Sequence, residues 1–225
     1  MKGVILAAGV GSRLGSPLPK TLSILPSGER ILGRQIRIMQ EMGIQEIHVV
    51  VGFKKTLIME EFPQVLFRYN PIYYLTNTSK SLLCALRDMN DDVIWSNGDV
   101  IFDKEVIHKI ISEPSSSVAV NKKKCGEEEI KYTTDNSGYI IEISKQVING
   151  EGEAVGVNFV KKDNLIDLVN TLEHCKDNDY FEKALQILAP KKIFKAVDIS
   201  AYRCIEVDFE IDLIEARRLF ANSQE

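Results

Sequence analysis

The sequence predicts an α/β fold in which a mixed, mostly parallel sheet lies between two layers of helices. Three observations carry that expectation. Val4-Ile5-Leu6 is a short apolar run with no polar residue to alternate, which suits a strand buried on both faces of a parallel sheet. The first half of the chain then repeats strand-like runs and helical patterns in turn, the rhythm of parallel strands joined by right-handed crossovers. The first run also ends in Ala7-Ala8-Gly9-Val10-Gly11, where side chains nearly vanish and the backbone becomes the available surface.

The elements follow in order. A helix is expected over 31–43, with Ile31, Leu32, Gln35, Ile36, Met39 and Met42 on one face and Gly43 ending it. A second buried strand follows over 46–52, a short helix over 54–61, and a third strand over 65–69. Thr78 or Ser79 starts a helix reaching Met89, with Leu82, Leu83, Ala85 and Leu86 inward. The fourth strand, 92–96, runs into Asn97-Gly98-Asp99. Asp103 stands before a helical pattern with Val106, Ile107 and Ile110 inward, so its expected role is an N-cap. After about residue 113 the rhythm changes to strands over 117–121, 129–134, 139–144 and 154–160, with Asp135-Asn136-Ser137-Gly138 as a hairpin turn. Helices over 164–174 and 180–188, a strand over 193–197, and a closing segment 203–208 with a helix to Phe220 complete the chain. No linker is visible, so residues 1–225 are expected to form one domain, with 1–112 and 113–225 as two walls of a cleft.

Composition narrows the function. Of 225 residues, 44% are hydrophobic and 27% charged, ordinary for a globular protein with a real core. A net charge of −4 provides no broad basic field, so nucleic acid is not the expected partner. The basic run Lys122-Lys123-Lys124 is answered at once by Glu127-Glu128-Glu129 and reads as a solvated hairpin end. Cys84, Cys125, Cys175 and Cys204 are too far apart in sequence for a zinc or redox motif. Without a signal peptide they are expected to be reduced thiols in a cytoplasmic protein. No apolar run approaches the roughly 18 residues of a membrane span.

Three stretches carry chemistry. The glycine loop after the first strand either makes a tight turn or lets backbone N–H groups approach an anion or a flat base. Arg13 and Lys20 add a rigid positive fork and a mobile point charge beside it. The loop is not a dinucleotide fingerprint, because Leu14 replaces the third glycine, and no Gly-Lys-Ser/Thr follows to make a Walker A loop. Asp99 lies at the C-terminal end of a buried strand, where open α/β sheets bind ligands. It is either a turn aspartate or a ligand for a hard cation such as Mg²⁺. Glu206 and Asp208 share a side by strand alternation, and Asp208, at a helix start, can cap that helix or hold a metal.

Taken together, residues 6–14 with Pro19-Lys20 resemble the signature of the nucleotidyltransferases that activate phosphorylated sugars and alcohols, and the similarity extends over nearly the whole chain. Lys20 matches the lysine of that family's Pro-Lys motif, and Asn97-Gly98-Asp99 its mid-chain metal aspartate. Ile143-Ser144-Lys145 with Gly152-Glu153-Ala154-Val155-Gly156-Val157 looks like the acceptor-binding strands. Glu206-Val207-Asp208 with Asp212, Leu213 and Ala216 resembles the closing segment that holds the second metal aspartate. Within the family the chain is most similar to the small cytidylyltransferases acting on phosphocholine, 2-aminoethylphosphonate and related compounds. Thr76-Asn77-Thr78-Ser79-Lys80-Ser81-Leu82 and Asp179-Tyr180-Phe181-Glu182 carry that likeness. Gly15-Ser16-Pro17-Leu18 is shorter than the corresponding stretch of many relatives, which implies a shorter lid, and Asn77 to Ser81 departs from the loop of sugar-specific members.

The resemblance implies a three-layer, Rossmann-like fold of the nucleotide-diphospho-sugar transferase type and a Mg²⁺-dependent transfer from a nucleoside triphosphate, CTP favoured, to a small phosphorylated acceptor. It implies that Asp99 and Asp208 hold Mg²⁺, that Arg13 and Lys20 offset phosphate charge, and that Lys145 meets the acceptor's phosphate. Lys145 reads equally as a solvated strand-end lysine. Leu6, Ala7, Ala8, Gly9, Gly11, Ser12 and Gly98 would cradle the nucleotide, with Asn77 and Ser81 at the base edge. Glu153, Asn158 and Glu182 would meet the acceptor, and Tyr73, Tyr74, Tyr132, Tyr180 and Phe181 are available to cage a quaternary amine. By the same resemblance 1–112 is the nucleotide-binding half and 113–225 the acceptor-binding half of a monomer or homodimer. A sugar-1-phosphate thymidylyl-, uridylyl- or guanylyltransferase, or a non-catalytic nucleotide-binding regulatory module on the same fold, are the alternatives.

Overall fold

The computed structural model describes residues 1–221 apart from Ser12, Leu14, Ser16 and Lys124. Strand β1 (Lys2–Ala7) buries both faces, Val4 and Leu6 on one side and Ile5 and Ala7 on the other. Helix α1 (Ile31–Glu41), strand β2 (Glu46–Val51), helix α2 (Lys55–Glu61) and strand β3 (Leu66–Tyr69) follow, and β1–β2 and β2–β3 pair in parallel. Helix α3 (Thr78–Leu86) leads to β4 (Val93–Asn97), which lies parallel on the other side of β1. Chain order therefore reverses at β1, and the C-terminal ends of β1 and β4 lie side by side with Leu6 opposite Asn97.

The second half supplies α4 (Lys104–Ile111), β6 (Ser116–Asn121), β7 (Lys131–Thr134), β8 (Ile140–Ser144), β9 (Gly152–Val160), α5 (Lys162–His174), α6 (Glu182–Leu188) and β10 (Phe194–Asp198). The main sheet runs β10-β6-β9-β4-β1-β2-β3, with β9 antiparallel to both neighbours and β7 pairing β8 and β9. Helices α3, α5 and α6 bury their apolar sides against one face, and α1, α2 and α4 cover the other, giving the three layers expected. On the first face Trp95 is fully buried, with Phe181 and Phe194 edge-on at 5.7 and 6.5 Å, the arrangement that aromatic quadrupoles favour.

Several features differ from expectation. Helix α3 stops at Leu86, and Arg87–Met89 form a turn closed by the Met89 N–H on the Leu86 carbonyl. Val100–Phe102, to which the sequence reading assigns no element, form β5, which pairs antiparallel with β11 (Cys204–Glu206) in a separate two-stranded sheet. Helix α7 (Glu210–Leu219) packs beside it through Val207, Leu213, Ala216 and Phe220. Asp103 occupies the N-cap position of α4, but its side chain makes no cap bond. Its carboxylate instead accepts the backbone N–H and the guanidinium of Arg203 at 3.0 Å, because this cation is brought opposite by the β5–β11 pairing. Among the described residues no helix is long and apolar enough to cross a membrane.

Candidate active site

A cleft of about 720 Å³ opens over the C-terminal ends of β1 and β4. Its floor is Leu6, Ala7, Gly9, Val10 and Gly11 on one side and Asn97-Gly98-Asp99 on the other. The two sides touch, since the Gly98 N–H donates to the Leu6 carbonyl at 2.9 Å. A Cβ at Gly98 would stand 2.7 Å from that oxygen, so only glycine permits the approach. Gly11 has φ +63°, and a Cβ there would stand 2.6 Å from Cγ of Lys20, so the lysine lies flat along the glycine loop.

Lys20 begins a short 3₁₀ turn after Pro19 and points into the cleft. Its ammonium is 2.5 Å from Oδ1 of Asp208 and 3.5 Å from Oδ2 of Asp99. The two carboxylates come from positions 109 residues apart and are joined by the small sheet, in which Val100 pairs with Glu206 and the Val207 N–H donates to the Asp99 carbonyl. The sequence left Asp208 divided between a helix cap and the cleft. Here Asp212 does the capping, accepting the N–H groups of Asp208 and Phe209 at 3.0 and 2.7 Å, so the Asp208 carboxylate is directed to Lys20. Arg13 adds a second cation, 3.5 Å from Oδ2 of Asp208 and 5.8 Å over the Phe209 ring.

Burial pushes the Asp99 carboxyl above its ordinary range. Lys20 pulls it back and the charge of Asp208 pushes it further. Glu206, open to the same cleft but hemmed in by protein, is raised well above its ordinary value by that enclosure and by the charges of Asp99, Asp208 and Glu182. Three carboxyl groups, Asp99, Asp208 and Glu206, therefore crowd one part-buried ammonium, and a further cation would ease their mutual repulsion.

The far wall comes from the second half of the chain. Lys145 pairs with Glu128 at 3.0 Å and lies 5.5 Å over the Tyr180 ring. Glu153 accepts from Asn121 Nδ2 at 2.7 Å, and burial first, then Glu129, raises its carboxyl. Glu182, at 7% exposure the most enclosed of these acids, is pushed up to about 7 by burial, opposed weakly by its own backbone and Lys145. Its Oε2 and that of Glu129 have no hydrogen-bond partner among the described residues.

Most of the expected residues meet here: Leu6, Ala7, Gly9, Gly11, Arg13, Lys20, Asn77, Gly98, Asp99, Lys145, Glu153, Glu182 and Asp208 all line the cleft. Ser12 lies outside the described residues. Ala8 is a correction, because its carbonyl continues the β1 ladder onto the Phe53 N–H and its methyl is in the core. Ser81 faces the sheet from α3, where its hydroxyl accepts from buried Asn70. Asn158 sits opposite Trp95, two residues before the end of β4, and is buried in mid-sheet. Asn77 reaches the wall, but its Oδ1 caps α3 through the Thr78 N–H at 2.8 Å. Of the aromatic candidates only Tyr180 lines the cleft; Tyr132 and Phe181 are core residues. The supposed solvated hairpin end instead contributes Lys123, Glu128 and Glu129 to the wall, and Lys124 lies outside the described residues. Asn97, Thr78 and Glu206 line the cleft without having been assigned a role. Glu206 had two signals in the sequence, its strand alternation with Asp208 and its place in the closing segment.

A family model described as the MobA-like NTP transferase domain matches residues 3–142. A CMP-5'-(3-aminopropyl)phosphonate synthase of Streptomyces rubellomurinus is 32% identical over 126 residues, 52% of this chain, which spans only 20% of that protein's length. A CTP:phosphoglutamine cytidylyltransferase of Campylobacter jejuni is 28% identical across 95% of this chain and 98% of its own. The solved structure of the CTP:phosphocholine cytidylyltransferase of Streptococcus pneumoniae superposes with a TM-score of 0.81 at 17% identity, over 97% of this chain and 98% of that one.

Proposed function

The chain belongs to the MobA-like NTP transferase domain family, and on that premise we propose that it transfers CMP from CTP to the phosphate or phosphonate of a small amine-bearing acceptor. One observation carries the reading: a single ammonium, Lys20, between two carboxylates from distant loops, Asp99 and Asp208, on the floor of a cleft. An oxygen of the acceptor's phosphate forms the new bond to the α-phosphorus, the bond to the β-phosphoryl oxygen breaks, and pyrophosphate leaves with the electron pair. The attacking oxygen is already an anion near neutral pH, so no general base is required. What remains is positioning and charge neutralisation, for which the glycine loop, Arg13 and Lys20 are suited.

The residues also suit Mg²⁺. Asp99 and Asp208 offer hard oxygens that already share one cation, Lys20. No cluster of three or more ligating side chains exists among the described residues. Mg²⁺ accepts this, taking one or two carboxylates and filling its shell with water and phosphate oxygens. When bound, it supplies neutralisation of the phosphate charge.

The amine is supported by the far wall. Glu182 and Glu129 each hold a buried oxygen without a donor, and carboxylates outnumber the cations Lys123 and Lys145 there. An ammonium group satisfies such oxygens, whereas the hydroxyls of a sugar leave the charge unanswered. The preference for CTP rests on the named activities of the relatives. The test is pyrophosphate release from each of four nucleoside triphosphates with Mg²⁺ and a panel of aminoalkylphosphonates, phosphocholine and sugar 1-phosphates. CTP with an amine-bearing acceptor should be fastest. Turnover with sugar 1-phosphates and UTP or TTP alone would select the sugar alternative, and no turnover with any pair would end the proposal.

A further inference from the structure

The sequence places Gln35 on the apolar stripe of α1, one turn after Ile31 and one turn before Met39, with Leu32 and Ile36 beside it. It is 1% exposed. An amide there is costly unless every polar atom is answered. Its Nε2 donates to the Asn97 carbonyl at 2.9 Å and to the Val100 carbonyl at 2.5 Å, and its Oε1 accepts from the buried Ser96 hydroxyl at 2.9 Å. The two carbonyls flank Gly98-Asp99 on either side. One is at the end of β4, where the strand leaves the ladder, and the other is at the start of β5. Leu6 holds the Gly98 N–H and Val207 holds the Asp99 carbonyl, so the turn is fastened at four points, two of them by this one side chain.

We infer that Gln35 is a positioning residue: its amide clamps both ends of the Asn97–Val100 turn and so fixes the direction of the Asp99 carboxylate. A glutamine needed only for stability would have no reason to spend both donors on one turn. The two N–H groups of a primary amide diverge in a plane, which matches two carbonyls separated by a tight turn. Carbonyls only accept, so these two fix which end of the amide carries the donors, and the Ser96 hydroxyl donates to the oxygen left over. The inference rests on the reading of Asp99 as a cation ligand, and supports of this kind commonly change cation affinity or turnover by about ten- to a hundredfold.

The experiment compares wild type, Gln35→Met, which keeps the volume and removes the clamp, and the milder Ser96→Ala, which removes one of the three hydrogen bonds that hold the amide. Two measurements need no turnover: amide hydrogen exchange of the apo protein, and Mn²⁺ titration read by electron paramagnetic resonance with CTP present and acceptor withheld. In Gln35→Met, exchange at Gly98 and Val207 should quicken at least about tenfold while Val50 in β2 stays protected. Mn²⁺ affinity and kcat should each fall about tenfold or more, with KM for the acceptor little changed. Ser96→Ala should fall between. Wild-type exchange and Mn²⁺ affinity in Gln35→Met would overturn the inference, as would a uniform loss of protection across the sheet. If wild type itself takes up no Mn²⁺ with CTP, the reading of Asp99 fails first and this inference with it. Equal uptake by wild type and Gln35→Met removes the inference alone.

Discussion

At the scale of single residues, charge is what distinguishes this cleft. Asp99→Asn and Asp208→Asn each keep volume and remove one carboxylate from Lys20. If these residues act as proposed, each should lower turnover about a hundredfold or more, the size of effect seen when one electrostatic element of a transfer site is lost. For Asp208→Asn stability should move by less than about 1 kcal/mol, because Asp208 is half exposed and such pairs contribute little. A melting curve beside the rate assay checks both. Glu182 makes a prediction with a definite sign. Its carboxyl is raised from 4.5 to about 7 by burial. Between those two pH values the folded chain binds a proton that the unfolded chain has released, so stability falls as pH rises through the window and levels off above it. The full shift corresponds to about 3 kcal/mol as an upper figure. Glu206, Glu153 and Asp99 are raised too and share the wild-type slope. Glu182→Gln should therefore raise the thermal midpoint at pH 8, leave it nearly unchanged at pH 4, and flatten the profile between. A midpoint at pH 8 equal to wild type would show that Glu182 stays charged without penalty.

At the scale of elements, the second carboxylate depends on one helix end. Helix α7 is held at its start by Asp212, which accepts two backbone N–H groups, and at its end by Phe220, flanked by the guanidinium groups of Arg34 and Arg203 at 4.8 and 4.7 Å. Asp212→Ala should cost about 1 kcal/mol as a lost cap, visible as a lower denaturant midpoint with unchanged slope. Because the freed N–H groups include that of Asp208, turnover should fall by more than the loss of folded protein explains. Activity that tracks the folded fraction alone would remove Asp212 from any role beyond capping.

At the scale of the molecule, legibility followed burial. Val4 to Leu6 and Val49 to Val51 are covered on both faces, so their unbroken apolar runs announced a parallel sheet. Asp99 was legible because it follows such a run. The β5–β11 sheet was not, since three-residue strands hold too few residues for a period to show. Lys123, Glu128 and Glu129 were misread because a run of charge has the same composition whether it faces water or a charged cleft. Ser81 and Asn158 show the opposite error: both lie near the right loops in sequence, but a helix turn and a strand register turn them inward. Arg34 and Phe220 left no sequence signal, because their partnership with Arg203 exists only once α7 has folded back.

The insertion of β9 between β6 and β4 has a consequence for how the chain is made. Until residues 152–160 leave the ribosome, β4 presents a row of unanswered N–H and C=O groups beside Trp95, a sticky border on a nascent half-sheet. The pairing of Val93 with Val160 spans 67 residues, a long closure that slows completion of the core. A fragment ending at residue 112 should therefore precipitate or bind chaperones rather than fold, and adding the 113–221 segment in trans should rescue its solubility. A soluble, cooperatively melting 1–112 fragment would mean that the border is protected in some other way.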